Sequence, residues 1–154
     1  MSILHNLPDK PYEKFFGRSD SIKAIEETLL QGGTFIASID GVGGIGKTAL
    51  AYHFCQTMLV NNSESEFDYL VWISSKTTRF NPFDNQINPL ENNFQGIETL
   101  FDTVLNVCDF KDLIGEDLRK KRDMCEDIFK NEPIFLVLDN LENVEDKEFF
   151  SVTI

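Results

Sequence analysis

Residues 41–48 read Gly41-Val42-Gly43-Gly44-Ile45-Gly46-Lys47-Thr48, in which a glycine and four further residues precede Gly-Lys-Thr. Glycines allow a tight turn in which successive backbone N–H groups surround a phosphate chain without side chains in the way. Lys47 supplies positive charge for the β- and γ-phosphates, and Thr48 offers its hydroxyl to a Mg²⁺ ion. The stretch therefore predicts a phosphate-binding loop that opens a helix, whose positive dipole end faces the same anion.

The sequence on either side of this loop has the expected strand and helix. Residues 34–39 are rich in β-formers and lie between Gly32-Gly33 and Asp40-Gly41, which predicts a first buried strand. After Thr48, apolar residues recur at the three-and-four spacing of a helix with one apolar face: Leu50, Ala51, Phe54, Cys55, Met58 and Leu59. The loop is therefore expected to join a buried strand to an amphipathic helix.

Strands and helices alternate along the rest of the chain. A helix is predicted over 19–30, with its first residue, Ser19, as N-cap. The apolar run 69–73 has the length and composition of a parallel strand covered on both faces. Residues 77–96 are rich in Asn and Pro and are predicted to form a long surface loop. Helical stripes follow over 97–108 and about 115–130. This alternation predicts an α/β fold, with a parallel sheet between helical layers.

A second chemical signal is the run Ile134-Phe135-Leu136-Val137-Leu138-Asp139, in which five residues typical of a buried strand are followed by a carboxylate. At the carboxyl edge of a parallel sheet, Asp139 could hold the Mg²⁺ ion that Thr48 also contacts, which makes the run a Walker B pattern. Asn140 follows and cannot accept a proton as a carboxylate does, so we expect slow hydrolysis. Glu142 is the remaining acidic candidate near the attacking water, and Lys47, Asp139 and Glu142 form the candidate catalytic set.

Composition limits the classes of partner. The chain has 154 residues and a formal net charge of -12, which disfavours broad contact with nucleic acid or an anionic membrane. No stretch approaches the ~18 apolar residues of a membrane span, and the N-terminus has no apolar signal-like segment, so a cytoplasmic location is expected. Three cysteines, Cys55, Cys108 and Cys125, form no C-x-x-C pair and are predicted to be reduced core residues.

Four segments in this order resemble the NB-ARC class of STAND ATPases, a group of P-loop NTPases: 15–20, 41–51, 67–74 and 136–140. The resemblance implies that a short Gly-Arg motif ahead of the loop lines the base and sugar of an adenine nucleotide. It implies ATP or ADP with Mg²⁺ as cofactors, metal contacts from Thr48 and Asp139, and these nucleotide contacts: Phe16, Gly17, Arg18, Gly41, Val42, Gly43, Gly44, Ile45, Gly46, Lys47, Thr48 and Ala49.

The same resemblance implies a switch that is closed with ADP, opens on a signal and then forms a homo-oligomer. Residues 1–15 are expected to be a lead-in and 16–154 an incomplete nucleotide-binding domain, truncated before the sensor strand and the C-terminal subdomains. In the family that the chain resembles, this sensor strand lies in the centre of the sheet. It would have buried several aliphatic side chains, each contributing ~1.5 to 3 kcal/mol. We therefore expect residues 1–154 alone to be marginally folded, to bind nucleotide weakly and not to turn over ATP, with ATPase activity reserved for a complete protein.

Two alternatives remain open at the level of sequence. A P-loop phosphotransferase or kinase would need a substrate lid with arginines, and Arg79, Arg119 and Arg122 form no such motif. A truncated, non-catalytic interaction fragment would respond to neither ATP nor ADP. Adenine over guanine rests on the resemblance, because the chain has no guanine-reading N-K-x-D motif.

Overall fold

The computed structural model describes residues 2–31, 37–61, 66–75, 78–81, 86–89 and 96–141. Within them the chain forms four α-helices, a three-stranded parallel sheet and a two-stranded antiparallel sheet. It divides into two compact units, which we name the loop unit (Leu7–Ser65) and the sheet unit (Met1–Asn6 with Glu66–Ile154). The predicted α/β class with a parallel sheet is confirmed.

The loop unit contains α1 (Ser19–Glu26), continued by a π-helical turn (Glu27–Gln31), and α2 (Lys47–Val60). Both predicted helices are confirmed. The predicted cap is wrong, because the Ile22 N–H donates to the Arg18 carbonyl at 3.0 Å and makes Arg18 the N-cap. Ser19 is instead the first helical residue.

The strand predicted over 34–39 can be compared with the structure only at its last three residues. Residues 34–36 lie outside the described residues, and Ala37, Ser38 and Ile39 belong to no strand. Ala37 and Ser38 are exposed, whereas a buried parallel strand needs cover on both faces. The strand prediction is therefore wrong over 37–39.

The sheet unit contains all the described strands: β1 (Leu4–His5), β2 (Tyr69–Ser74), β3 (Thr78–Asn81), β4 (Gln86–Pro89) and β5 (Ile134–Asp139). The parallel sheet has the order β1-β2-β5, and its register runs from Tyr69 opposite Ile134 to Ser74 opposite Asp139. The carboxyl ends of β2 and β5 therefore meet at one edge of the sheet.

Burial distinguishes the two long strands. Leu70, Val71, Trp72 and Ile73 of β2 are all buried, as the apolar run predicts. The strand β5 was also expected to be buried, but it is half-buried from end to end. The reason is its position, because among the described strands β5 pairs with β2 alone and lies at the edge of the sheet.

Helices α3 (Ile97–Val107) and α4 (Leu118–Asn131) pack their apolar stripes with β2 into one core. Its most buried members are Val71, Leu100, Phe101, Val104, Leu105 and Cys125. All three cysteines are buried, which confirms their prediction as core residues. Among the described residues, no helix has both the length and the apolar character that crossing a membrane requires.

The strands β3 and β4 form an antiparallel pair inside the segment predicted to be a loop over 77–96. That prediction is wrong for these eight positions, in which Thr78 lies opposite Pro89 and Asn81 opposite Gln86. Backbone hydrogen bonds give such a ladder without any apolar periodicity in the sequence. Pro89 ends β4, where the missing N–H disrupts the ladder least.

Candidate functional site

The phosphate loop, residues 41–48, has the backbone of a loop shaped for a ligand. Gly44 and Gly46 have φ of +80° and +93°, in a left-handed region of backbone conformation that residues other than glycine rarely adopt. A Cβ atom placed on either residue would meet no atom within 4 Å, so packing does not explain the glycines. Glycine is required here by conformation, and the open space is what close approach of a phosphate to the backbone needs.

The start of α2 adds positive charge to the loop. Gly46 is the N-cap and has no side chain with which to accept from the first turn. Lys47 is the first helical residue, and its Nζ donates to the Gly41 carbonyl at 2.8 Å. Because an ammonium group has three donors, this bond leaves capacity for phosphate oxygens. Lys47 thus ties the two ends of the loop together.

Arg18 also contacts the phosphate loop. Its Nη2 donates to the Ile45 carbonyl at 2.5 Å, between the two left-handed glycines. Gly17 also has positive φ, at +71°, and Phe16 is 76% exposed. The structure therefore brings the predicted Gly-Arg motif to the phosphate loop. Its contact with a base or sugar stays a prediction.

Aromatic contacts anchor the segment ahead of α1 to α2. Tyr12 Oη and His53 Nδ1 are hydrogen-bonded at 2.9 Å, and the Phe15 ring stacks on His53 with centroids 4.1 Å apart. Burial is the main cause that raises the pKa of Tyr12, and the nearby Tyr52 adds to it. The Tyr12 hydroxyl therefore stays protonated at neutral pH. These contacts fix the backbone from which Arg18 extends.

A cleft of about 560 Å³ lies between this segment and the two helices of the loop unit. Its lining comprises Phe15, Gly17, Arg18, Ser19, Ile22, Lys23, Glu26, His53 and Thr57. The volume suits a small ligand. The described lining includes no residue of the phosphate loop, and Arg18 belongs to the cleft while it also contacts that loop.

The strand-end cluster, which consists of Ser74, Ser75, Asp139 and Asn140, lies in the sheet unit. Ser74 ends β2, Asp139 ends β5, and the Ser74 hydroxyl donates to Asp139 Oδ2 at 3.0 Å. Asp139 is thus placed at the carboxyl edge of the parallel sheet, as predicted. Carboxylate and hydroxyl oxygens are ligand types that Mg²⁺ prefers.

Glu142 and Thr48 are not part of the strand-end cluster. Glu142 lies outside the described residues. Thr48 is half-buried in the first turn of α2, so it belongs to the loop unit, whereas Asp139 belongs to the sheet unit. A joint Mg²⁺ site of Thr48 and Asp139 therefore stays a prediction from the two motifs.

Sequence reasoning assigned no role to three residues that the structure places at sheet ends. Ser74 and Ser75 contact the Walker B end, and the signal available was their position directly after a buried parallel strand. Asn6 extends the pairing of β1 with β2, since its side-chain amide accepts from Trp72 N at 2.7 Å and donates to Trp72 O at 2.9 Å. No pattern marks that role in the sequence.

Comparisons with known proteins agree with this geometry. The family model for the NB-ARC domain matches residues 18–147, which is well over half of the chain. The chain is similar to the transcription activator GutR of Bacillus subtilis (strain 168), with 27% identity over 150 residues. The match covers 93% of this chain but 16% of the length of that protein. No solved structure matches the chain.

Proposed function

The chain belongs to the NB-ARC family of nucleotide-binding domains, and we propose that it is the adenine-nucleotide-binding core of a signalling switch. The observation that carries the proposal is the conformation of the phosphate loop. Gly44 and Gly46 hold left-handed backbone beside open space, and Lys47 begins the helix that follows. Each feature serves an anionic ligand and none is needed for packing.

Backbone N–H groups of the phosphate loop and the ammonium group of Lys47 bind the β- and γ-phosphates. Thr48 and Asp139 are the proposed ligands of Mg²⁺, which when bound would neutralise phosphate charge. Phe16 and Gly17 of the Gly-Arg motif serve the nucleotide from its base and sugar side, and Arg18 holds the phosphate loop through the Ile45 carbonyl. Glu142 is the proposed acidic group for hydrolysis, which Asn140 does not supply.

The regulatory part of the proposal rests on the kind of protein that the chain resembles. GutR is named a transcription activator, and the chain spans about one sixth of its length. We propose that this chain acts in a similar regulatory setting, where exchange of ADP for ATP changes the state of a larger protein. The net charge of -12 disfavours broad contact with nucleic acid through these residues.

Substitution of Lys47 tests the proposal most directly. Lys47→Ala removes a charge-assisted hydrogen bond of about 1.5 to 3 kcal/mol, so the affinity for Mg·ADP and Mg·ATP should fall about 10- to 100-fold. Isothermal titration calorimetry gives the affinities, and melting without nucleotide shows whether the variant is folded.

Lys14→Ala is the matched control, because Lys14 is an exposed lysine of the same unit. It should leave nucleotide affinity unchanged. A folded Lys47→Ala variant that binds both nucleotides as tightly as the wild type would rule out the proposed phosphate site.

A further inference from the structure

The carboxylate of Asp139 receives two side-chain donors on the same oxygen. Ser74 Oγ donates to Asp139 Oδ2 at 3.0 Å, and Asn140 Nδ2 donates to the same atom at 2.9 Å. The second hydrogen of the Asn140 amide points to Ser74 Oγ at 3.4 Å. One residue of β2 and the residue after β5 thus fix the plane of the carboxylate.

The backbone of Asn140 is held in the conformation that makes this contact. Its φ is +57°, a left-handed value that Asn and Asp tolerate better than other non-glycine residues. The Ser75 N–H donates to the Asp139 carbonyl at 3.1 Å, and the Ser75 hydroxyl donates to the Asn140 carbonyl. Ser75 is only 3% exposed. Both strand ends therefore hold a backbone that would otherwise be strained.

We propose that Asn140 and Ser74 are positioning residues that orient the Asp139 carboxylate as a metal ligand, an inference that rests on the proposed nucleotide function. An amide at position 140 donates to the carboxylate, whereas an ionised acid could only accept and would repel it. Ligating carboxylates in metal sites are usually held by such outer hydrogen bonds. Asn140 therefore supports metal binding by Asp139. An acid at this position would instead serve proton transfer.

Mn²⁺ affinity is the readout, measured by the electron paramagnetic resonance signal of free Mn²⁺ titrated into the complex with a non-hydrolysable ATP analogue. Asn140→Gly removes the amide and suits the left-handed backbone, and Ser74→Ala removes the hydroxyl. Each should weaken Mn²⁺ binding about 10- to 100-fold, the usual cost of losing an outer hydrogen bond at a metal site. Metal-free nucleotide affinity and melting temperature should not change.

Two further variants are controls. Asp109→Gly removes a polar side chain from the other described non-glycine residue with positive φ, at +66°, and should leave Mn²⁺ affinity unchanged. Ser74→Thr keeps the hydroxyl and should retain most of the wild-type affinity.

The outcomes separate this inference from the proposed function. Unchanged Mn²⁺ affinity in Asn140→Gly and Ser74→Ala overturns the inference, and so does a parallel loss of metal-free affinity and stability. If the wild type binds nucleotide but Asp139→Ala leaves the Mn²⁺ affinity unchanged, the inference about Asn140 and Ser74 is also overturned, while the nucleotide function stands. A folded wild type that binds no nucleotide overturns both.

Discussion

The contact between Arg18 and the phosphate loop has a consequence for the direction of one N–H group. In a planar trans peptide the C=O and N–H bonds point in opposite directions. Because Arg18 holds the Ile45 carbonyl, it also fixes the Gly46 N–H on the opposite side of that peptide. The tie from Lys47 to the Gly41 carbonyl fixes the Val42 N–H in the same way. Two cations thus set the orientation of N–H donors in the loop.

Arg18→Ala should therefore weaken the binding of ADP and of inorganic pyrophosphate by a similar factor, about three- to tenfold for one exposed hydrogen bond. Calorimetry with the two ligands distinguishes this role from a contact with the base or sugar, which would weaken ADP alone. Lys23→Ala, which removes another exposed cation beside the cleft, is the control. Unchanged pyrophosphate affinity in Arg18→Ala would contradict the loop role.

Helices α3 and α4 are joined by a buried cation at their interface. The side chain of Lys121 is 4% exposed and pairs with Glu98 at 2.9 Å and Asp102 at 2.8 Å. Burial acts to lower the pKa of Lys121, but the two carboxylates outweigh it and the net direction is upward. The lysine therefore stays charged at neutral pH. Because its pKa is higher when folded, the pair stabilises the fold up to about pH 10.5 and loses this effect as pH rises further.

Lys121→Ala should lower the free energy of unfolding by about 1 to 3 kcal/mol at pH 7. The figure lies below that of a fully buried pair because Glu98 and Asp102 are partly exposed. Urea unfolding at pH 7 measures the change.

Lys120→Ala is the matched control, since the adjacent Lys120 pairs with Glu116 at 2.7 Å on the exposed face. It should change stability far less than Lys121→Ala does. Equal effects of the two substitutions would contradict the role given to burial.

At the scale of the whole molecule, each compact unit carries its own buried thiol. Cys55 lies in the loop unit, and Cys108 and Cys125 lie in the sheet unit. Burial raises the pKa of Cys55 and of Cys125 to about 12, and that of Cys108 to about 11. Because the thiolate is the reactive form, alkylation near neutral pH requires each unit to open.

Nucleotide at 100 times its Kd should slow alkylation of Cys55 by iodoacetamide about 100-fold, because binding stabilises the folded state by ~2.7 kcal/mol. Mass spectrometry of labelled peptides follows each cysteine, and the rate at Cys125 reports the sheet unit separately. Lys47→Ala at the same nucleotide concentration should show only about 2- to 11-fold slowing, because its affinity is about 10- to 100-fold lower. Unchanged labelling of Cys55 at saturating nucleotide would contradict binding to the loop unit.

Local pattern was enough to predict the elements that depend on nearest neighbours in sequence. The phosphate loop, the helices that flank it, the α3 stripe and the buried run of β2 all follow from spacing and residue type, because a helix or a buried strand repeats at a fixed period. Asp139 was placed correctly for the same reason, since a strand that ends in a carboxylate puts that group at the sheet edge.

Only the tertiary structure decided features that depend on partners distant in the chain. The pairing of β3 with β4 uses backbone bonds that leave no apolar pattern, and the half-burial of β5 follows from its edge position. Arg18, Ser74 and Asn140 act through contacts with residues brought near by folding or by a left-handed turn. Sequence spacing specifies a side chain's face within its own element, but what that side chain meets is set by how the elements pack.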